Sequence, residues 1–148
     1  MTGWRIGYIG APSWIAKSCT KFQGQITSGA NAIGQRATIA ALQAPVDRIR
    51  FMIDTFHQRR DLILQLLGEI EGFRLNVPEG AFYVFPSIKS TGQSSIDFAQ
   101  SLLKKQKVAL VPGVAFGKSC EGYVRISYAS AYESLKEAVR RIGTYLGK

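Results

Sequence analysis

Two arginines in this chain stand where solubility alone does not account for a permanent charge. Arg5 lies in Met1-Thr2-Gly3-Trp4-Arg5-Ile6-Gly7-Tyr8-Ile9-Gly10, where a glycine on each side leaves its guanidinium room to approach a ligand. A planar, always-charged fork of donors suits a phosphate. Arg125 lies in Gly122-Tyr123-Val124-Arg125-Ile126-Ser127-Tyr128. Alternation along a strand sets Tyr123, Arg125 and Ser127 on the face opposite Val124, Ile126 and Tyr128. An arginine in so apolar a strand needs an anionic partner, because an unpaired buried charge is costly. That partner is either a carboxylate of this chain, making a structural ion pair, or a bound anion.

The remaining chemistry-bearing residue types give less. His57, the only histidine, falls inside a long helical stretch with no acid or base at a suggestive spacing, and it reads as a solvated or packed helix residue. Cys19 and Cys120 are far apart in the chain, with no C-x-x-C pair and no His/Cys cluster. The spacing therefore offers no metal site, and two reduced thiols fit a cytosolic protein.

The elements that must hold the two arginines differ in kind. Residues 3–10 read as a buried strand ending at Ala11-Pro12, followed by a short helix at 13–23 and a second helix at Ala32–Leu42. These pieces carry apolar faces with too few partners within reach, as at the end of a larger domain. From Pro45, apolar residues at Ile49, Met52, Ile53, Phe56, Ile63, Leu67 and Ile70 follow helical period as far as Gly72, which predicts a long connecting helix. Beyond it the pattern turns α/β. Strands are expected at Phe73–Val77, Ala81–Phe85, Val108–Val111 and Tyr123–Tyr128, with a helix at Ile96–Lys105.

A last helix follows Ser130, with an apolar stripe of Leu135, Ala138, Val139, Ile142 and Leu146. Ser94 and Ser130 each precede an acid by three residues, Asp97 and Glu133, a spacing that predicts a capping box at both helix starts.

Composition bounds the class. With 148 residues and 46% hydrophobic content the chain can bury a core. The formal charge of +9 invites a nucleic-acid or acidic-ligand reading. The cations, however, are scattered over helical segments, with short clusters only at Arg59-Arg60, Lys104-Lys105-Lys107 and Arg140-Arg141, as on a solvated face. A stand-alone α/β module with a basic binding surface stays open as an alternative, but neither nucleic acid nor a membrane is the expected partner. No apolar run approaches the roughly 18 residues of a membrane span and no targeting signal opens the chain, so it reads as soluble and cytoplasmic.

Four motifs occur in order: Met1–Tyr8; Pro78-Glu79-Gly80-Ala81-Phe82-Tyr83-Val84-Phe85-Pro86; Val111-Pro112-Gly113-Val114-Ala115-Phe116-Gly117; and Tyr123–Tyr128. Together they resemble, over essentially the whole chain, the C-terminal part of class I aminotransferases, the fold type I enzymes that use pyridoxal 5'-phosphate, and bacterial aspartate aminotransferases in particular. The resemblance implies an α/β fold divided into a tail of the large cofactor domain at 1–44, a long interdomain helix at 45–71 and a small C-terminal α/β domain at 72–148. It implies that Arg5 binds the cofactor phosphate and that Arg125 clamps the substrate α-carboxylate. Gly80 and Phe82 are implied to close over the substrate, and Pro112-Gly113 to line the pocket mouth. On their residue types alone, Phe82, Tyr83 and Phe85 equally suit a core or sheet-face role.

The implied parent is a homodimer in which two subunits build each active site. It moves an amino group between an amino acid, aspartate foremost, and a 2-oxo acid. Aromatic, prephenate or other class I aminotransferases share the same arginines. None of the lysines at 17, 21, 89, 104, 105, 107, 118, 136 and 148 sits in a motif matching the Schiff-base lysine. In the family that lysine lies upstream of the counterpart of Met1, so the chain by itself is expected to be inactive.

Overall fold

The structure, a computed structural model, describes residues 1–147 and, of Thr2, the backbone alone. The chain divides into two compact units, Met1–Ile49 and a second that begins at Arg50.

The first unit is helical. A 3-10 turn at Thr2–Trp4 leads by an irregular segment to α1 (Ser13–Ile26) and α2 (Ala32–Gln43), and a second 3-10 turn follows at Val46–Ile49. Asn31 starts α2, its side chain accepting from the Gly34 N–H at 2.5 Å, the usual way to satisfy an orphan amide at a helix start. The strand expected at 3–10 is not formed. A strand exists only through pairing, and everything else the unit supplies is helix or turn. Helix α1 buries no side chain, and Trp14, Phe22 and Ile26 along it are exposed.

The second unit carries the core. Helix α3 (Arg50–Gly68) comes first, then β1 (Tyr83–Val84), α4 (Ser95–Gln106), β2 (Val111–Pro112), β3 (Val124–Ser127) and α5 (Tyr132–Tyr145). The sheet has the order β1-β3-β2 and both pairings are antiparallel, with Tyr83 opposite Ser127 and Val111 opposite Arg125. Ile63, Leu67 and Ile70 pack with Val84, Ile88, Phe98, Leu102, Val124 and Tyr128. Leu135, Val139 and Ile142 of the last helical stripe close that core, since one apolar face of a helix must find cover. Helix α5 lies against both α3 and α4.

Several boundaries move for local reasons. Helix α3 stops at Gly68, four residues short of Gly72, which instead sits in the following turn at φ 90°. Phe73–Val77 contributes a single bridge, Arg74 to Ser87, rather than a strand. The expected strand Val108–Val111 shrinks to Val111–Pro112 because pairing with β3 begins only opposite Arg125. Ser94 caps α4 as its spacing predicts, accepting from the Asp97 N–H at 3.1 Å. Ser130 does not cap α5. The N-cap is Ala131, with no side-chain hydrogen bond, so Glu133 acts through its charge in the first turn, where an acid favours the helix dipole.

Helix α4 ends on Lys107 in the left-handed region at φ 57°, a conformation that costs a side-chain-bearing residue about 1 kcal/mol. Lys107→Gly is therefore expected to stabilise the unit by up to about 1 kcal/mol, read as a higher denaturant midpoint at unchanged slope. On α5, Glu137 accepts from Arg140 through both carboxylate oxygens at 2.7 Å and from Arg141 Nε at 2.8 Å. The hydrogen bonds from Arg140 and then Arg141 hold its carboxyl well below the ordinary 4.5, at about 2. A carboxylate whose folded value is lowered adds stability above its unfolded value and loses it as the pH falls through the folded one. The thermal midpoint is expected to drop between pH 4.5 and about 2, and Glu137→Gln should flatten that part of the profile. An unchanged profile in the variant would assign the acid sensitivity elsewhere.

Candidate active site

Arg125 lies on β3, the central strand of the second unit's sheet. The register of β3 places it beside Val111 of β2 and one position from Ile126, which lies opposite Val84. Core-facing Val124 and Tyr128 are buried, so alternation turns Arg125 to the other side of the sheet. There its guanidinium carbon lies 4.2 Å from the centre of the Tyr83 ring and 4.6 Å from that of Phe116. Two aromatic faces attract and orient a guanidinium while leaving its in-plane N–H groups directed outward. Among the described residues Arg125 has no carboxylate partner and no hydrogen-bond acceptor. Of the two readings left open by the sequence, the internal ion pair is therefore the one the fold does not make.

Phe116 is held by a network reaching from the start of α4. It closes the 3-10 turn Gly113–Phe116. The Gly113 N–H donates to the Tyr123 carbonyl at 2.8 Å and the Val114 N–H to Ser95 Oγ at 3.4 Å. Ser95 is fully buried. Its N–H and hydroxyl donate to the two oxygens of Glu121 at 2.6 and 2.8 Å. Those bonds, the backbone one foremost, lower the Glu121 carboxyl from its ordinary value, so the anion that anchors the turn persists through mildly acidic pH. Phe116 also meets Phe85 edge-on at 5.8 Å, and Phe85 stacks on Tyr123 at 5.5 Å.

Gly80 and Phe82 lie just before Tyr83 in the chain. Gly80 is exposed in a bend, and the left-handed residue of that bend is Ala81, at φ 60°. Tyr128 donates its hydroxyl to the Ala81 carbonyl at 3.0 Å and its N–H to that of Phe82 at 3.0 Å; burial pushes its phenol upward in pKa. The Phe82 ring stacks on Phe56 at 5.8 Å and meets Tyr83 at 4.6 Å. It packs against the core, while its neighbour Tyr83 covers Arg125. Pro112 sits opposite Val124, and Gly113 is buried behind the turn.

Arg5 belongs to the first unit. It follows the 3-10 turn at φ 55° and is exposed. The turn is pinned to α2 on both sides: Asn31 Nδ2 donates to the Trp4 carbonyl at 3.3 Å, and Ile6 rests on buried Gly34. No other group lies within 4 Å of where a Cβ on Gly3 or Gly7 would sit. An exposed arginine on a turn fixed by its neighbours is of a chemical type suited to the phosphate of pyridoxal phosphate.

Sequence reasoning identified Arg125 but not its two ring partners, nor the Ser95–Glu121 pair. The aromatics are visible in the motifs, but which of Phe82 and Tyr83 shares a face with Arg125 depends on register, which no local pattern states. His57 is exposed on α3, Cys19 is exposed and Cys120 half-buried. Among the described residues no three His, Cys, Asp or Glu side chains converge as metal ligands, and no helix is long and apolar enough to cross a membrane.

Comparison with known proteins matches residues 1–142 to the family model for aminotransferase class I and II. The chain is 45% identical to an aspartate aminotransferase of Pyrococcus abyssi, covering 96% of this chain and 37% of that protein. It is 42% identical to a (5-formylfuran-3-yl)methyl phosphate transaminase of Methanocaldococcus jannaschii, covering 100% and 39%. Among solved structures, an aromatic aminotransferase from Pyrococcus horikoshii superposes with a TM-score of 0.86 at 44% identity, over 99% of this chain and 40% of that one. The chain thus spans well under half the length of the curated relatives it matches.

Proposed function

We propose, from the premise that this chain belongs to the class I and II aminotransferase family, that it is the C-terminal part of a pyridoxal-phosphate-dependent enzyme moving an amino group between an amino acid and a 2-oxo acid. Residues 1–44 are read as the tail of the cofactor domain, 45–71 as the connector and 72–148 as the small domain. Aspartate is the first substrate to test, and a cytoplasmic homodimer is the proposed assembly. Relatives named for aspartate, aromatic and phosphorylated furan substrates have in common the amino-transfer step rather than one side chain, so substrate identity within the family is the open choice.

The observation that carries this reading is Arg125 between Tyr83 and Phe116, with its donors unspent among the described residues. A bidentate guanidinium fixes a carboxylate in both position and plane, which sets the orientation of the adjacent Cα–H bond. The two rings shed water from the guanidinium faces, so that charge pairing with a carboxylate is stronger than on an open surface. Arg5 holds the cofactor phosphate as a second fork. The cofactor, when bound, supplies the electron sink that makes the Cα–H bond acidic. A lysine to anchor it and move the proton is not among the matching positions of this chain.

The test is amino transfer from aspartate to 2-oxoglutarate by the longer polypeptide containing this chain, beside the 148-residue chain alone. Turnover by the first, none by the second, and loss of turnover in the first on Arg125→Lys are expected. Turnover indifferent to Arg125 would sink the carboxylate reading.

A further inference from the structure

A second cluster of donors lies on the same face of the sheet as Arg125, beyond the aromatic stack. Arg74, Ser87 and Tyr123 are joined by successive antiparallel bridges and so form one row across three segments. Side chains in register share a face, and adjacent segments lie about 5 Å apart. Arg74 and Lys89 line one groove of roughly 500 Å³ together with Asn76, Ser87, Phe85 and Tyr123, and no acidic side chain lines it. Among the described residues neither cation has a carboxylate partner.

The cluster is built rather than incidental. Lys89 is held in place: its stem crosses Gly122, whose φ is 82° and where a Cβ would come 2.6 Å from Lys89 Cγ. Its ammonium sits 5.1 Å from the centre of the Tyr123 ring. Phe85 also stacks on that ring at 5.5 Å. Ser87, between Arg74 and Tyr123 in the row, is only 7% exposed. Its oxygen accepts from the Lys89 N–H at 3.5 Å, and its own proton has no acceptor among the described residues. That leaves the Ser87 hydroxyl able to donate to a group in the groove. Arg74 and Lys89 line the groove with no counter-charge among its lining residues. A single bound oxyanion would supply one and accept the Ser87 proton.

We propose that this groove is a binding site for a phosphate-class oxyanion, separate from the carboxylate site at Arg125. Arg74 would supply a planar fork, Lys89 a point charge, and Ser87 and Asn76 neutral donors. That set offers more donors than one carboxylate uses and matches a tetrahedral anion. The proposal does not rest on the transaminase reading, since it needs only the fold of the second unit.

The experiment is a titration of the 148-residue chain with inorganic phosphate, followed by amide NMR shifts, with sodium chloride at equal ionic strength as the control. Saturable shifts at Ser87, Lys89 and Tyr123 are expected with phosphate and not with chloride. Lys89→Met, which keeps the stem over Gly122, and Arg74→Gln should each weaken binding about tenfold or more. The same spectra report whether each variant is folded, and the Lys89→Met variant alone suffices if Arg74→Gln is not. Shifts that chloride reproduces, that do not saturate, or that persist in both folded variants would overturn the proposal. So would loss of the phosphate response on Arg5→Gln, which would place the anion at the proposed cofactor site. If the response holds, phosphorylated amino acids and free phosphate compared at equal concentration identify the source of the anion.

Discussion

Gly113→Ala is expected to destabilise the second unit by about 3 kcal/mol, a large share of the roughly 5–15 kcal/mol that holds a domain folded. Gly113 is buried, and a methyl group there would run into the carbonyl oxygen of Cys120 and come 2.6 Å from that of Tyr123. Both obstacles are backbone and cannot swing aside like a side-chain end. Relief requires the 3-10 turn to lift from β3, breaking the Gly113 N–H bond to the Tyr123 carbonyl. Because that turn carries Phe116, the lift also uncovers one face of Arg125. Chemical denaturation reads the loss, with Gly68→Ala as the contrast. Nothing lies within 4 Å of a Cβ at Gly68, the last residue of α3, so that exchange should be neutral or stabilising by up to about 1 kcal/mol. Equal midpoints for the two variants would refute the steric account.

The second large effect falls on function. In the longer enzyme proposed above, Arg125→Leu is expected to lower kcat/KM about a thousandfold. Two charge-assisted hydrogen bonds to a carboxylate are each worth about 1.5–3 kcal/mol, and every 1.4 kcal/mol is tenfold. Arg125→Lys keeps the charge but not the fork, and should recover only a small part of the loss. Stability should change by no more than about 1 kcal/mol, since what the fold itself loses is two ring contacts. Kinetics and melting measured on the same preparations separate the roles. A large drop in stability with kcat/KM within about threefold of the parent would make Arg125 a structural residue instead, on the same tenfold-per-1.4 kcal/mol scale.

Much of the second unit was legible in the sequence. The stripe of Leu135, Val139 and Ile142 faces the core because a 3.6-residue period admits few other arrangements. Ser94 caps α4 because the serine, the acid three residues on and the apolar run all agree. Where the same signal failed, at Ser130, the helix begins one residue later and leaves the serine outside. The first unit was less legible: an apolar segment at 3–10 reads as a strand from composition, but a strand needs a paired neighbour, and the unit offers helices.

The sequence by itself determined which residues carry charge and chemistry, that Arg125 lies on the strand face opposite Val124 and Tyr128, and, through four ordered motifs, the family. These are local or order-dependent properties, written in residue type and spacing. Only the tertiary structure decided what surrounds Arg125. Strand register chose Tyr83 over Phe82, a turn anchored by Ser95 and Glu121 delivered Phe116, and no carboxylate among the described residues was brought within reach. The pairing of distant segments is set by the summed burial of a whole core, and no short stretch of chain encodes that sum.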